Sequence, residues 1–165
     1  MAFLPAHAAL VFLPFALAIG IWVSWSDMKF MRIPNQAVIV LALVFVVVGP
    51  LVLPWKGYLW QLVHFPVLLA VGFLLNLARA IGAGDAKFVA AMGPFFALSD
   101  LPLISILLSS ILLAAFATHR GLRLVPAFRR ATGDWESWER RDFPMGFALS
   151  GVLIFYLALV AVLGH

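Results

Sequence analysis

The stretch FLPAHAALVFLPFALAIGIWVSW, Phe3 to Trp25, runs straight into SDMKFMRIPNQ, Ser26 to Gln36. The first part is an apolar run with no acid, lysine or arginine, and the second packs an acid, two bases and a proline together. A helix needs about 20 apolar residues to cross the hydrocarbon core of a bilayer, so the run fits one crossing. Asp27 then falls where that helix meets the membrane surface. An ionisable side chain at membrane depth is costly, which makes Asp27 a functional suspect from the start.

Five more apolar runs follow: about 37–53, 58–80, 86–98, 101–118 and 145–163. The run 86–98 is short for a full crossing and contains Pro94, so it reads as a kinked helix or one with a wet inner end. Over all 165 residues, 65% are hydrophobic and 11% charged, with a mean hydropathy of +1.10. Soluble domains carry about 25% charged residues. The expected fold class is therefore an all-α integral membrane protein, a single bundle of six transmembrane helices filling one domain over residues 1–165. Barrel strands alternate with period two, and these continuous runs do not. The absence of cysteine excludes disulfides, thiolate chemistry and cysteine-ligated metal.

Loop charge sets the expected orientation. Lys29 and Arg32 follow the first run, and Arg79 and Lys87 flank the third-to-fourth turn. Arg120, Arg123, Arg129, Arg130, Arg140 and Arg141 lie between the fifth and sixth runs. These three connections share one side and hold ten of the eleven basic residues; Lys56 and Asp100 lie opposite. The bias predicts three cytoplasmic basic loops and both termini periplasmic. The net charge of +4 is thus a topology signal and not a nucleic-acid footprint. The first run lacks a basic start, so it reads as a permanent helix and not a cleaved signal.

This topology puts a second acid level with Asp27. Asp85 closes Gly82-Ala83-Gly84-Asp85 at the start of the fourth run. Taken singly, Asp85 reads equally well as a helix N-cap, and Asp27 as a solvated interface charge. Together they are the minimum set for aspartyl hydrolysis, in which two close carboxylates share a proton. Gly82 and Gly84 free the backbone and remove bulk where a substrate chain would approach. Pro34 suits a helix start, where its missing N–H costs nothing. Asn35 reads either as substrate-facing or as satisfying backbone there. Lys87 is either a headgroup anchor or a charge that biases the site, and Arg32 either a topology charge or a lipid contact. His7, His64, His119 and His165 are scattered, so no metal site is expected.

Asp27-Met28-Lys29-Phe30-Met31-Arg32-Ile33-Pro34-Asn35 resembles the first-aspartate motif of the type IV prepilin peptidases, where Arg-Ile-Pro-Asn follows the acid. Gly82-Ala83-Gly84-Asp85-Ala86-Lys87 resembles their second motif, Gly-x-Gly-Asp with a later lysine. Pro144-Met145-Gly146 is similar to a weaker Pro-aromatic-Gly pattern, from which Met145 departs. The resemblance implies a cofactor-free aspartic endopeptidase of the bacterial inner membrane, with Asp27 and Asp85 catalytic at the cytoplasmic face. Gly82, Gly84, Lys87, Arg32, Pro34 and Asn35 would support the substrate. Its partners would be the lipid bilayer and a prepilin or pseudopilin, cut after a basic leader. Without cysteine or an added cytoplasmic domain, the chain resembles the short peptidase-only branch of tight-adherence (Flp-type) pili. The loop from Arg120 to Asp142 reads first as a solvated, charge-balanced connector and, as the alternative, as a segment that helps read the basic leader. No motif speaks to oligomeric state.

Three other readings share some of these features. Presenilin-like proteases also carry Gly-x-Gly-Asp, but with an aromatic-Asp first motif and more spans. A proton-coupled carrier would use Asp27 and Asp85 as proton sites, yet carriers favour internal repeats and midplane acids, and neither is visible. A noncatalytic scaffold for pilus assembly would need neither acid.

Overall fold

The computed structural model describes residues 4–140 and 142–164, leaving Arg141 and His165 outside them. These residues form seven α-helices: α1 (Ala6–Phe30), α2 (Asn35–Val52), α3 (Trp55–Leu77), α4 (Ala83–Met92), α5 (Leu101–Arg123), α6 (Pro126–Ala131) and α7 (Met145–Leu163). Tight 3-10 turns occupy Gly93–Phe95, Leu98–Asp100 and Glu136–Trp138. Among the described residues there is no strand. A helix satisfies every backbone group internally, which is the requirement a bilayer imposes on an apolar run.

Five helices, α1, α2, α3, α5 and α7, are long and apolar enough to cross a membrane. The fourth apolar run is different. Its helix α4 has ten residues, about 15 Å of rise, against roughly 30 Å of hydrocarbon. Gly93 and Pro94 tighten the chain into a 3-10 turn, and Phe96 leaves the helix in an extended conformation. The expected six spans are therefore five full-length helices and one short segment.

The far end of that segment is pinned inside the bundle. Tyr156, halfway along α7, donates its hydroxyl proton to Asp100 Oδ2 at 2.7 Å and accepts the Ala97 N–H at 3.1 Å. Ser99 Oγ donates to Asp100 Oδ1 at 3.0 Å. Asp100 is buried. A carboxylate in apolar surroundings needs such donors, and two hydroxyls provide them.

Helix α7 packs most extensively along α1. Small residues let the two backbones approach, as in other membrane bundles. A Cβ on Gly20 of α1 would lie 2.8 Å from Ile154 of α7, and Ala8, Ala9 and Ala16 are fully buried. At the end remote from Asp27, Phe12 stacks on Phe45 and both meet Phe95 edge to face, with ring centroids 5.0–5.7 Å apart, tying α1 and α2 to the end of α4. At the other end, the connections 31–34, 78–82 and 124–144 converge, since their residues line common cavities. That convergence positions the site.

Candidate active site

Helix α1 runs past the apolar stretch and ends at Phe30, so Asp27 sits inside its last turns. Met31 then adopts a left-handed conformation, φ 49°, and returns its N–H to the Asp27 carbonyl at 2.9 Å. This is the usual way a helix closes its free carbonyls, here without the glycine that normally takes the strain. Ser26 Oγ donates to the Arg32 carbonyl at 2.9 Å and fixes the turn into α2. Pro34 precedes the first turn of α2, where its carbonyl accepts the N–H groups of Ala37 and Val38. Asp27 is 5% exposed.

On the facing segment, Gly82 is the residue that precedes α4, and Asp85 lies in the first helical turn. Asp85 is therefore not the N-cap that its position suggested. Neither Gly82 nor Gly84 has a positive φ, so dihedral freedom is not the reason for glycine at either; at Gly82 the reason is space. A Cβ on Gly82 would sit 2.7 Å from Asp85 Oδ2. A Cβ on Gly84 would meet Ile33 at 3.5 Å. Close to this motif, Gly72 of α3 packs so tightly on Ala86 that its Cβ would be 3.0 Å away, which draws α4 against α3. Asn76 Nδ2 donates to the Ile81 carbonyl at 2.9 Å and shapes the turn between them.

Both carboxylates open onto one space. A cavity of about 490 Å³ is lined by Asp27 and Asp85 together with Gly82, Gly84, Arg32, Pro34, Asn35 and Lys87. Every residue singled out from the sequence as a site candidate thus faces one space. Lys87 Nζ donates to Asn35 Oδ1 at 3.2 Å, so this lysine links α4 to α2 across the cavity wall. A second cavity, of about 630 Å³, shares Asp27 and Asp85 and adds Arg79, Arg140 and Asp142.

Three participants were not candidates. Gly146, at the start of α7, donates its N–H to Asp27 Oδ2 at 2.7 Å. Its Pro-x-Gly setting is only a weak pattern in the sequence. Ile33 is buried and wedged between Gly84 and Gly146, 3.0 Å from where a Gly146 Cβ would lie. It therefore spaces the two aspartate-bearing segments. Arg140 lines the larger cavity from the 124–144 connection.

That connection is not a plain solvated linker. Trp138 is buried, stacks on His119 with centroids 4.7 Å apart, and donates Nε1–H to the Thr132 carbonyl at 2.8 Å. Asp134 pairs with Lys29 at 2.8 Å, tying the loop to the end of α1. The hydrogen bond from Lys29 holds the Asp134 carboxyl below the usual carboxylate range. Glu136 pairs with Arg140 at 3.0 Å. An aromatic core, missed because no periodic pattern marks it, thus folds the charged connector down beside the cavity.

Two carboxylates on one cavity, one held by a backbone N–H, can pass a proton between water and a bound carbonyl. The cavity wall adds Arg32 and Lys87 to the two acids. Neither the curated proteins nor the solved structures contain a match to this chain. The sequence model of the type IV leader peptidase family does match, over residues 11–118, which takes in both aspartate motifs. A match over more than half of the chain places it in that family of peptidases: this membrane protein belongs to the type IV leader peptidases.

Proposed function

We propose that the protein is an aspartic endopeptidase that removes the basic leader of Flp-type prepilins or pseudopilins at the cytoplasmic face of the bacterial inner membrane. Asp27 and Asp85 are the catalytic pair. The observation that carries this reading is the single cavity onto which both carboxylates and all six supporting candidates open. Membership of a leader peptidase family supports the substrate class, and the basic-loop asymmetry supports the sidedness.

In the proposed reaction one carboxylate is ionised and its partner protonated, because close like charges do not both ionise readily. The ionised group takes a proton from water as its oxygen attacks the scissile carbonyl. The protonated group donates to the carbonyl oxygen, giving a neutral tetrahedral intermediate. Collapse breaks the C–N bond as a proton passes to the leaving amine. Gly146 holds Asp27 Oδ2 as an acceptor, so a proton carried by Asp27 resides on Oδ1. The pair titrates as a unit, and the two roles alternate within a turnover. Gly82 and Gly84 leave room for the substrate backbone beside Asp85.

Co-expression with a Flp-type prepilin tests the reading. The expected product is the precursor shortened by its leader, measured by intact mass. An unprocessed precursor beside correctly inserted enzyme would refute it.

A further inference from the structure

Among the described residues three have a left-handed backbone: Met31 at φ 49°, Arg79 at φ 59° and Gly164 at φ 59°. Glycine takes that conformation without strain, whereas a Cβ there crowds the following carbonyl. Gly164 closes α7 at the end opposite Gly146, so away from the aspartates the unstrained residue is used. The two positions that carry a side chain both line the larger aspartate cavity. Strained backbone of this kind clusters at active sites and ligand clamps.

The fold itself has little use for the Arg79 side chain. Helix α3 closes with the Ala80 N–H on the Leu75 carbonyl and the Arg79 N–H on the Asn76 carbonyl, both at 2.9 Å. In this closing motif the left-handed residue is usually glycine. Backbone groups alone make the two bonds, so glycine at 79 would serve the helix better. The Arg79 side chain is exposed. The two ion pairs of the described residues, Lys29–Asp134 and Arg140–Glu136, leave it without a carboxylate. Met31 closes α1 in the same left-handed conformation. It lines both cavities that contain Asp27 and Asp85, which puts its half-buried side chain on their common wall.

We propose that Met31 and Arg79 are substrate-binding residues, kept in a strained backbone for what their side chains touch, an assignment that rests on the leader peptidase reading. A peptide laid across the two carboxylates passes over Met31 and reaches Arg79 in the larger cavity. Met31 gives the chain an apolar surface beside the scissile bond and favours an apolar neighbour there. Arg79 carries five N–H donors in a planar fork and donates to a backbone carbonyl of the substrate. Every peptide brings such carbonyls, so Arg79 holds the chain while Met31 selects among side chains.

Glycine substitution separates the demands of the fold from those of the substrate. The assay uses a soluble peptide spanning the cleavage site and the enzyme in detergent. Arg79→Gly is expected to raise KM about tenfold with kcat within about threefold, and Met31→Gly to lower kcat/KM about tenfold. The thermal unfolding midpoint of each should equal or exceed that of the natural protein, because glycine relieves the left-handed strain. Arg79→Lys and Met31→Leu, which restore a donor and apolar bulk, should recover most of the loss. Unchanged kinetics in either glycine variant would overturn the assignment for that residue and leave the peptidase reading intact. Lost activity with a lowered midpoint would do the same, since the side chain would then be serving the fold. A loss confined to proteoliposomes would make Arg79 a headgroup anchor and overturn its assignment. If the unaltered enzyme cuts neither this peptide nor the full precursor, the peptidase reading fails and the assignment falls with it.

Discussion

The backbone N–H of Gly146 donates to the Oδ2 of Asp27 across 2.7 Å, joining residues 119 positions apart in the chain. The bond ties the start of α7 to the last turns of α1, and those two helices form the most extensively packed pair in the molecule. Orientation of the carboxylate is thus set by the main packing contact of the bundle. It does not depend on a loop.

That relationship predicts the behaviour of Gly146. A Cβ there would lie 3.0 Å from both Asp27 Oδ2 and Ile33, so any side chain pushes the acid and its spacer apart. Gly146→Ala is expected to lower kcat several-fold and Gly146→Val by about 100-fold or more, the scale of a misplaced acid–base group. KM should change little in both. A Gly146→Val enzyme with unaltered kcat in a leader-cleavage assay would show that the bond to Asp27 is irrelevant to catalysis.

The carboxylates themselves give the sharper test. Asp27→Asn and Asp85→Asn should each reduce cleavage by about 100-fold or more, since an amide cannot take the proton from water. Both proteins should still insert and pack, because an amide fills nearly the same volume. Mass measurement of the co-expressed precursor reads the outcome, and processing near the normal rate by either variant would sink the dyad.

Much of this was legible in the sequence, and the rest was hidden for physical reasons. Apolar runs of bilayer-spanning length identify α1, α2, α3, α5 and α7, because length and hydropathy are summed locally. The expected run 145–163 coincides with α7, where Pro144 and Gly164 mark its ends. The fourth run was legible as short and broken at Pro94, but not as a helix that stops at Met92, because hydropathy continues past the Gly93–Pro94 turn. Both aspartates were readable from their motifs, and the cavity that unites them follows from alternating helix direction. Gly146 and Ile33 were not, since an N–H donor and an aliphatic wedge acquire their roles only when distant segments meet. The burial of Asp100 was hidden for the same reason: its partner Tyr156 lies on another helix.

Tyr156 and Asp100 therefore separate stability from activity. Tyr156→Phe removes one of the donors to a buried carboxylate and is expected to destabilise the protein by about 1–3 kcal/mol. Combining it with Asp100→Leu removes the acid that lost its donor and should recover part of the loss, since pairs replaced together by apolar groups cost less. Thermal unfolding in detergent measures both. The pair lies away from the aspartate cavities, so kcat at low temperature should stay within about twofold of normal. A Tyr156→Phe protein as stable as the original would mean that the hydroxyl does not satisfy Asp100.

Lys29 and Asp134 give a pH test of the charged connector. The Asp134 carboxyl titrates lower when folded than when free, because the Lys29 hydrogen bond favours its ionised form. The tether is consequently complete above the ordinary carboxylate value of about 3.9 and is lost only as pH falls through the lower folded value. Limited proteolysis of the 124–144 segment should stay slow at pH 5–7 in the natural protein. Asp134→Asn should speed it across that whole range, and high salt should partly mimic the substitution, because the pair is exposed and screened. Indistinguishable proteolysis of the two proteins would assign the loop's placement to Trp138 and its aromatic neighbours alone.

Sidedness links the fold to the proposed substrate. In the proposed orientation a basic leader stays in the cytoplasm by the same charge rule as the enzyme's basic loops, and scissile bond and aspartates would meet without a charge crossing the bilayer. The chain has no cysteine, which makes single-cysteine labelling direct. Gly133→Cys, on the exposed connector, should react with an impermeant thiol reagent only after the cells are opened. Lys56→Cys, exposed at the start of α3, should react in intact cells. A cysteine at Asp100 should resist labelling from either side, because that position is buried against Tyr156. Labelling of Gly133→Cys in intact cells would place both aspartates on the outer face, where the leader of a prepilin never goes, and the prepilin reading would fail even with both acids proved essential.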